Sequence, residues 1–313
     1  MKIGKDGRLY ALNPLKGFYQ HVKGFTPVKN STGKEFLTKD TIFTNVGYTS
    51  NGQPIWNSSD SNRVQGEVSY DWNGQPLNDN AQSNLQHPQA SAAVRCSDCP
   101  AMHSKWDSDE GVPLSAIVFC TRRRAGVPLI FESFGWQQAV FHASTLRFDC
   151  KCDGKGDETR FDPMGMTRYI GYPLGEYIQH WLSFDKTAKK DPSSSQLPKV
   201  FFLNLFKENA ENKFLWPGFG ENIRILQWIV HRISKPAEDT ATKTFLGYVP
   251  RLNSINLTGI KVDWDDLVAT PKPFWVNELR IVRKTLDAII GNSDFPKAIS
   301  DEFFEFGKRL SST

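Results

Sequence analysis

Residues 200–222 read Val200-Phe-Phe-Leu-Asn-Leu-Phe-Lys207, a short polar turn, then Lys213-Phe-Leu-Trp-Pro-Gly-Phe-Gly-Glu-Asn222. The first half opens on an apolar run, Val200–Leu203, the pattern of a strand covered on both faces. The second half sets a rigid Trp216-Pro217-Gly218 turn among Phe206, Phe214 and Phe219 and ends on an amide, Asn222. Aromatic faces can stack on a flat base, and an amide with two donors and one acceptor can read the edge of that base. The same rings can also pack as ordinary core. The expectation is a central strand delivering an aromatic loop, with either a slot or a plug at its end.

Working outward, Ala116-Ile-Val-Phe119 is a second apolar run, and it leads into Thr121-Arg122-Arg123-Arg124 before Val127-Pro-Leu-Ile-Phe131 resumes it. Basic residues at a strand end are how α/β enzymes present charge to a phosphate at the mouth of a sheet. A guanidinium grips phosphate oxygens through two bonds, so Arg122 and Arg123 are candidates for phosphate contact. The alternative is a solvated turn of exposed arginines. Thr41 to Val46 reads as a buried strand, and the turn-rich span 50–110 carries hairpin signals at Asn51-Gly52 and Asn73-Gly74. Helices are expected over Leu174–Phe184, after Asn222 where Ile223, Leu226, Ile229 and Val230 recur at helical spacing, over Trp275–Ile290, and from about Pro296. Residues 185–196 read as a solvated loop. Strands alternating with helices indicate an α/β or mixed α+β fold, a mixed sheet flanked by helices.

A chain of 313 residues with 39% hydrophobic content can bury one large core or two smaller ones. Thirty-eight basic residues against 34 acidic ones leave a net charge of +4, which gives no nucleic-acid-binding stripe. No apolar run approaches the roughly 18 residues needed to span a bilayer, and the N-terminus lacks a signal core, so the expected location is cytoplasmic. Cys96, Cys99, Cys120, Cys150 and Cys152 are an odd set for a disulfide framework. With His103, some of them could in principle hold zinc, but the spacing fits no standard knuckle and free thiols are expected. His142 and His180 read as packed residues rather than metal ligands.

Several strings together resemble the GTP-type phosphoenolpyruvate carboxykinase superfamily, in its C-terminal half only. Beside Phe214-Leu-Trp-Pro-Gly-Phe-Gly-Glu-Asn222, the similarity includes Asn13-Pro14, Gly17-Phe18, Thr41-Ile-Phe-Thr-Asn-Val46 and Glu110-Gly-Val-Pro113. Arg122-Arg123, Ala125-Gly-Val-Pro-Leu129, Trp136-Gln137, Asp162-Pro163, Gly171-Tyr172 and His180-Trp-Leu182 continue it in the family's order. The resemblance implies that residues 1–313 form the C-terminal nucleotide-binding domain. Phe206, Phe214, Phe219 and Asn222 would then clamp guanine, and Arg122 and Arg123 would have the catalytic role of facing the phosphates. It also implies that the complete enzyme turns oxaloacetate and GTP into phosphoenolpyruvate, GDP and carbon dioxide with manganese or magnesium.

Departures from that pattern are equally visible. Cys120-Thr121 and Arg124 stand where relatives have two glycines and a proline around the arginines. His87-Pro-Gln-Ala-Ser-Ala92 replaces a motif whose asparagine and arginine hold substrate, with Arg95 as the nearest substitute. Phe148 to Gly156 replaces the alanine-rich mobile lid. No Gly-x-x-x-x-Gly-Lys-Ser/Thr string is present, the nearest being Ser31-Thr-Gly-Lys-Glu35, and the histidines form no metal-type cluster. The phosphate loop, the metal site and the oxaloacetate domain are therefore expected to belong to a missing N-terminal half, and this chain alone is expected to be inactive. Three readings stand: the GTP enzyme, its pyrophosphate-dependent branch, and a non-catalytic remnant that binds a nucleotide or a partner protein.

Overall fold

The computed structural model describes residues 1–13, 15–22, 40–55, 68–77, 85–99, 101–152, 156–188, 197–235, 239–290 and 296–312. The chain divides into two compact units, Met1–Ala11 with Pro113–Thr313, and Leu12–Val112.

The first unit is built on a five-stranded mixed sheet. Its strands are β1 (Ala116–Thr121), β2 (Ile130–Glu132), β3 (Lys199–Asn204), β4 (Ala241–Lys243) and β5 (Tyr248–Pro250), in the order β4-β5-β2-β3-β1. β3 pairs antiparallel with β2 and parallel with β1, in a register that puts Asn204 opposite Thr121. Among the described residues, six α-helices accompany the sheet: α1 (Trp136–Ser144), α2 (Leu174–Ala188), α3 (Asn222–Ser234), α4 (Trp264–Val268), α5 (Lys272–Ile290) and α6 (Lys297–Ser312).

The period of two along β3 sorts these layers. Val200 and Phe202 join a cluster with Phe131 and Trp136, Phe141, Trp181 and Phe306 from α1, α2 and α6. Phe201 faces the other way, onto Ile225, Trp228 and Ile229 of α3 and Leu267 of α4. Burial on both faces explains why the strand reads as a continuous apolar run. Each such phenylalanine removed from water stabilises the fold by roughly 1.5–3 kcal/mol.

Two sequence expectations need correction. In α3 the inward face is Ile225, Trp228, Ile229 and Arg232, while Ile223, Leu226 and Val230 are exposed. That face is built on Ile225 and Trp228, each 1% exposed, and Arg232 is buried beside them: its Nε donates to Glu132 Oε2 at 2.7 Å, and Lys199 Nζ reaches the other oxygen at 2.6 Å. An apolar count overlooks a charged residue that is buried because it is paired. The strand expected to be buried at Thr41–Val46 runs over Ile42–Thr49 with most of its early residues exposed.

Helix α2 continues to Ala188, past the expected start of a loop, and residues 189–196 lie outside the described set. The second unit is an antiparallel sheet in the order Gly17–His21, Gln86–Arg95, Ile42–Thr49, Pro54–Ile55. Both hairpin-type signals form turns there, with Gly52 at φ +77° and Gly74 at φ +80°. The Gly52 and Gly74 amides close back onto Thr49 and Asp71. The Ser31–Glu35 string lies outside the described residues.

Candidate functional site

β1 and β3 end side by side, and the two loops that leave them are held together by one buried amide. Asn204 is fully buried. Its Oδ1 accepts from the backbone N–H of Arg123 at 3.1 Å and of Phe206 at 3.3 Å. Its Nδ2 donates to the carbonyls of Arg123 at 2.8 Å and Val127 at 3.2 Å. A single side chain thus ties the arginine turn to the aromatic loop. Glu208 N donates to Arg124 O at 2.8 Å and adds a second tie.

The inner side of the arginine turn is ionic and buried. Arg123, 8% exposed, forms a two-bond fork with Glu278 of α5, at 3.0 and 2.7 Å. Arg147 Nη1 donates to the same carboxylate at 2.8 Å. Asp149 lies 3.3 Å from Arg123 Nε, and its other oxygen accepts from Arg124 N at 2.8 Å. Burial is the largest single influence on Glu278 and pushes its carboxyl up, yet Arg123 and Arg147 together overcome it and hold it below its ordinary value. The Arg123 guanidinium also lies over Phe274, 5.3 Å from the ring centre. Beneath that ring is Gly126, at φ +76°, where a Cβ would come within 2.2 Å of Phe274. Only glycine fits this backbone and this space.

The outer side is open. Arg122 is exposed, with its guanidinium 4.8 Å from the Phe206 ring centre. Phe206 meets Phe214 edge to face at 5.9 Å, and Phe214 is 54% exposed. The two segments carrying these rings pair through Leu215 N to Lys207 O at 2.8 Å and a bridge between Glu208 and Phe214. Lys207 is buried, and its ammonium donates to the carbonyls of Asp266 and Ala269 at the end of α4. Burial pushes that amine below its ordinary value. Trp216 is buried, and its indole donates to Asn222 Oδ1 at 2.9 Å. Because indole only donates, the Asn222 oxygen must face it, which leaves the amide N–H groups turned elsewhere.

The residues named from sequence therefore separate. Arg122, Phe206 and Phe214 come together at the surface, Asn222 is fixed by Trp216, and the side chain of Phe219 lies outside the described residues. The expectation of two adjacent phosphate-facing arginines is corrected for Arg123, whose guanidinium is buried against Glu278 and Phe274. Asn204, Asp149 and Glu278 were missed. Asn204 had a signal, a polar residue closing a buried strand; Glu278 had none, since a glutamate on an amphipathic helix normally reads as surface.

Where the resemblance implied a mobile lid, Arg147–Cys152 and Gly156–Phe161 form an antiparallel hairpin in register from Arg147↔Phe161 to Cys152↔Gly156. Its tip, 153–155, lies outside the described residues. In the second unit, Arg95 is engaged with Asp40 and Asp98, each at 3.0 Å. Among the described residues, no group of three or more His, Cys, Asp or Glu side chains is placed to hold a metal, and Cys96, Cys99, Cys120 and Cys150 are free thiols.

A family model described as the phosphoenolpyruvate carboxykinase C-terminal P-loop domain matches residues 1–309. The chain belongs to the phosphoenolpyruvate carboxykinase (GTP) family. It is 38% identical to the phosphoenolpyruvate carboxykinase (GTP) of Haemonchus contortus, over 99% of this chain and 50% of that protein. It is 35% identical to the Ascaris suum protein, over 100% of this chain and 48% of that one. The mitochondrial human protein is 35% identical over 99% of this chain and 48% of its own length. The chain thus spans about half the length of the phosphoenolpyruvate carboxykinases it matches. Among the described residues, no helix is long and apolar enough to cross a membrane.

Proposed function

We propose that this chain is the nucleotide-holding part of an enzyme that converts oxaloacetate and GTP to phosphoenolpyruvate, GDP and carbon dioxide. The observation that carries this reading is the Arg122 guanidinium lying against the Phe206–Phe214 shelf, at the end of the two parallel strands. Flat base and charged phosphates need an aromatic face and a cation within one ligand's length, and this shelf offers both. Asn222 has its oxygen taken by Trp216, so it would read the base by donating its amide N–H groups. Guanine presents an oxo group where adenine presents an amine, so such a reader favours guanine. Phe219 would complete the clamp.

Phosphoryl transfer is mostly positioning and charge neutralisation. Arg122 is the residue for the second task, while Arg123, locked to Glu278, would hold the turn in shape. The manganese or magnesium used in such chemistry finds no ligand group among the described residues. The phosphate loop, the metal ligands and the oxaloacetate site would come from the other half of the relatives' length, and without them the chain would not turn over. The named relatives use GTP, which favours a nucleoside donor over pyrophosphate. A cytosolic relative from Gallus gallus fits a cytoplasmic location, and the mitochondrial human one fits a second compartment.

The test is a thermal melt of the chain with GTP, ATP and pyrophosphate. GTP at a hundredfold excess over its Kd should stabilise by about 2.7 kcal/mol, with ATP and pyrophosphate well behind. Equal shifts from GTP and pyrophosphate would remove the base clamp and move the reading to the pyrophosphate branch. No shift from any of the three would leave a remnant that binds no nucleotide.

A further inference from the structure

At the end of the long strand Gln86–Arg95 of the second unit, the chain makes one 3₁₀ turn, Cys96–Asp98, closed by Cys99 N donating to Cys96 O at 3.1 Å. A 3₁₀ helix has three residues per turn, so the side chains of Cys96 and Cys99 stand on the same side of it. Its rise of about 2 Å per residue sets their Cα atoms about 6 Å apart, inside the range that a disulfide spans. Both cysteines are free thiols. The turn is joined to the neighbouring strand, since Cys96 N donates to Lys16 O at 2.8 Å beside the Gly17↔Arg95 pair.

The two thiols differ in access. Cys96 is 3% exposed, and its Sγ donates weakly to Leu15 O at 3.9 Å. Cys99 is half-buried, with the exposed Ser97 and Asp98 between them. A single buried cysteine is ordinarily a small apolar filler. Filling accounts for Cys96 but not for a second thiol one turn on, at the edge of solvent. Among the described residues, no third His, Cys, Asp or Glu joins the pair to hold a metal, and a structural zinc takes four ligands. What two thiols can do by themselves is give up two electrons and bond to each other.

We infer that Cys96 and Cys99 are a redox-active dithiol that closes to a disulfide with a peroxide as oxidant. The Cys99 thiolate attacks one oxygen of hydrogen peroxide, the O–O bond breaks, and the departing hydroxide regains the Cys99 proton as water, leaving a sulfenic acid. The Cys96 sulfur then attacks the Cys99 sulfur. The S–S bond forms, the S–O bond breaks, and the second hydroxide takes the Cys96 proton as a second water. Two electrons pass from the sulfur pair to the peroxide. Closure trades the weak bond to Leu15 O for a covalent staple across the turn, at the end of the ladder between Gly17–His21 and Gln86–Arg95. A dithiol reductant reopens it by exchange.

The test titrates the full chain with hydrogen peroxide, stops the reaction in denaturant with excess alkylating agent, and weighs the tryptic fragments. Trypsin cuts after Arg95 and Lys105, so both thiols lie in the single peptide 96–105. That peptide should lose two hydrogens and resist alkylation at one equivalent of peroxide, at least tenfold sooner than Cys120 is oxidised, and dithiothreitol should restore it. Phenylarsine oxide, which takes two sulfurs at once, should shield both cysteines of the peptide together. In Cys96→Ser, Cys99 should stop at the sulfenic acid and be trapped by dimedone. Two alkylated cysteines in peptide 96–105 after Cys120 has been oxidised would overturn the proposal. So would a bridge from either thiol to Cys120 or Cys150, or an arsenical that shields one of the pair without the other.

Discussion

Arg122 and Arg123 are neighbours in the chain and opposites in the molecule. Arg123 turns inward, where Glu278 grips its two terminal nitrogens, Asp149 lies 3.3 Å from Nε and the Phe274 ring packs against it. Arg122 turns outward onto one aromatic face, and among the described residues it forms no ion pair. A basic run at a strand end can thus send consecutive residues into opposite environments. A compensated charge fixes the turn, and the other stays at the surface against an aromatic ring, where the proposed function would use it. Burial of the first makes the position of the second reproducible, because the backbone between them cannot shift without breaking a desolvated fork.

The largest effect should come from the inner side. Glu278→Ala leaves two guanidiniums without their shared carboxylate in a buried site, and denaturant melts should show a loss of about 3–5 kcal/mol. A loss under 1 kcal/mol would mean that the inner side is no more constrained than the outer. Next comes acid. His142 is held at about 3 in the fold, chiefly by burial, against an ordinary value near 6.5. Below about pH 6.5 the unfolded chain takes up a proton that the folded chain refuses, so stability is present above that pH and declines toward pH 3. The slope approaches 1.4 kcal/mol per pH unit, giving roughly 2 kcal/mol between pH 6.5 and 5. Melts across that range should show this decline in the parent chain and its absence in His142→Phe.

On the outer side, Phe206→Ala should weaken GTP roughly tenfold, consistent with about 1–3 kcal/mol for a stacked base. Pyrophosphate binding should be unmoved. If both fall together, the ring supports the loop rather than the base. The smallest effect sharpens the contrast most: Arg122→Gln should change stability by no more than about 0.5 kcal/mol, since it is exposed. It should weaken GTP and pyrophosphate alike in a binding titration. An Arg122→Gln chain as unstable as the Glu278 variant would erase the distinction between the two arginines.

Most of the fold was legible because it rests on periodicity. The run Val200–Leu203 announced a strand buried on both sides, and it is central. α3 was found as an element but its face was mistaken, because Arg232 goes inward to meet Glu132, and pairing across 100 residues leaves no local mark. The site divided in the same way. Phe206, Phe214, Asn222 and Arg122 were readable as residue types that suit a base and a phosphate. The hub at Asn204 and the clamp at Glu278 depend on distances of 81 and 155 residues along the chain, which composition and spacing do not encode.

Gly126 carries a consequence for how this turn can change over generations. Its backbone tolerates no side chain, and a single added carbon would strike Phe274. A descendant with any other residue at this position must therefore have shrunk Phe274 and re-bent the main chain as well. Since Arg123 rests on that ring, its anchoring would be surrendered in the same stroke. One missing methyl group thus ties two near neighbours, Arg123 and Gly126, to a ring far along the chain, so that the three are inherited as a set.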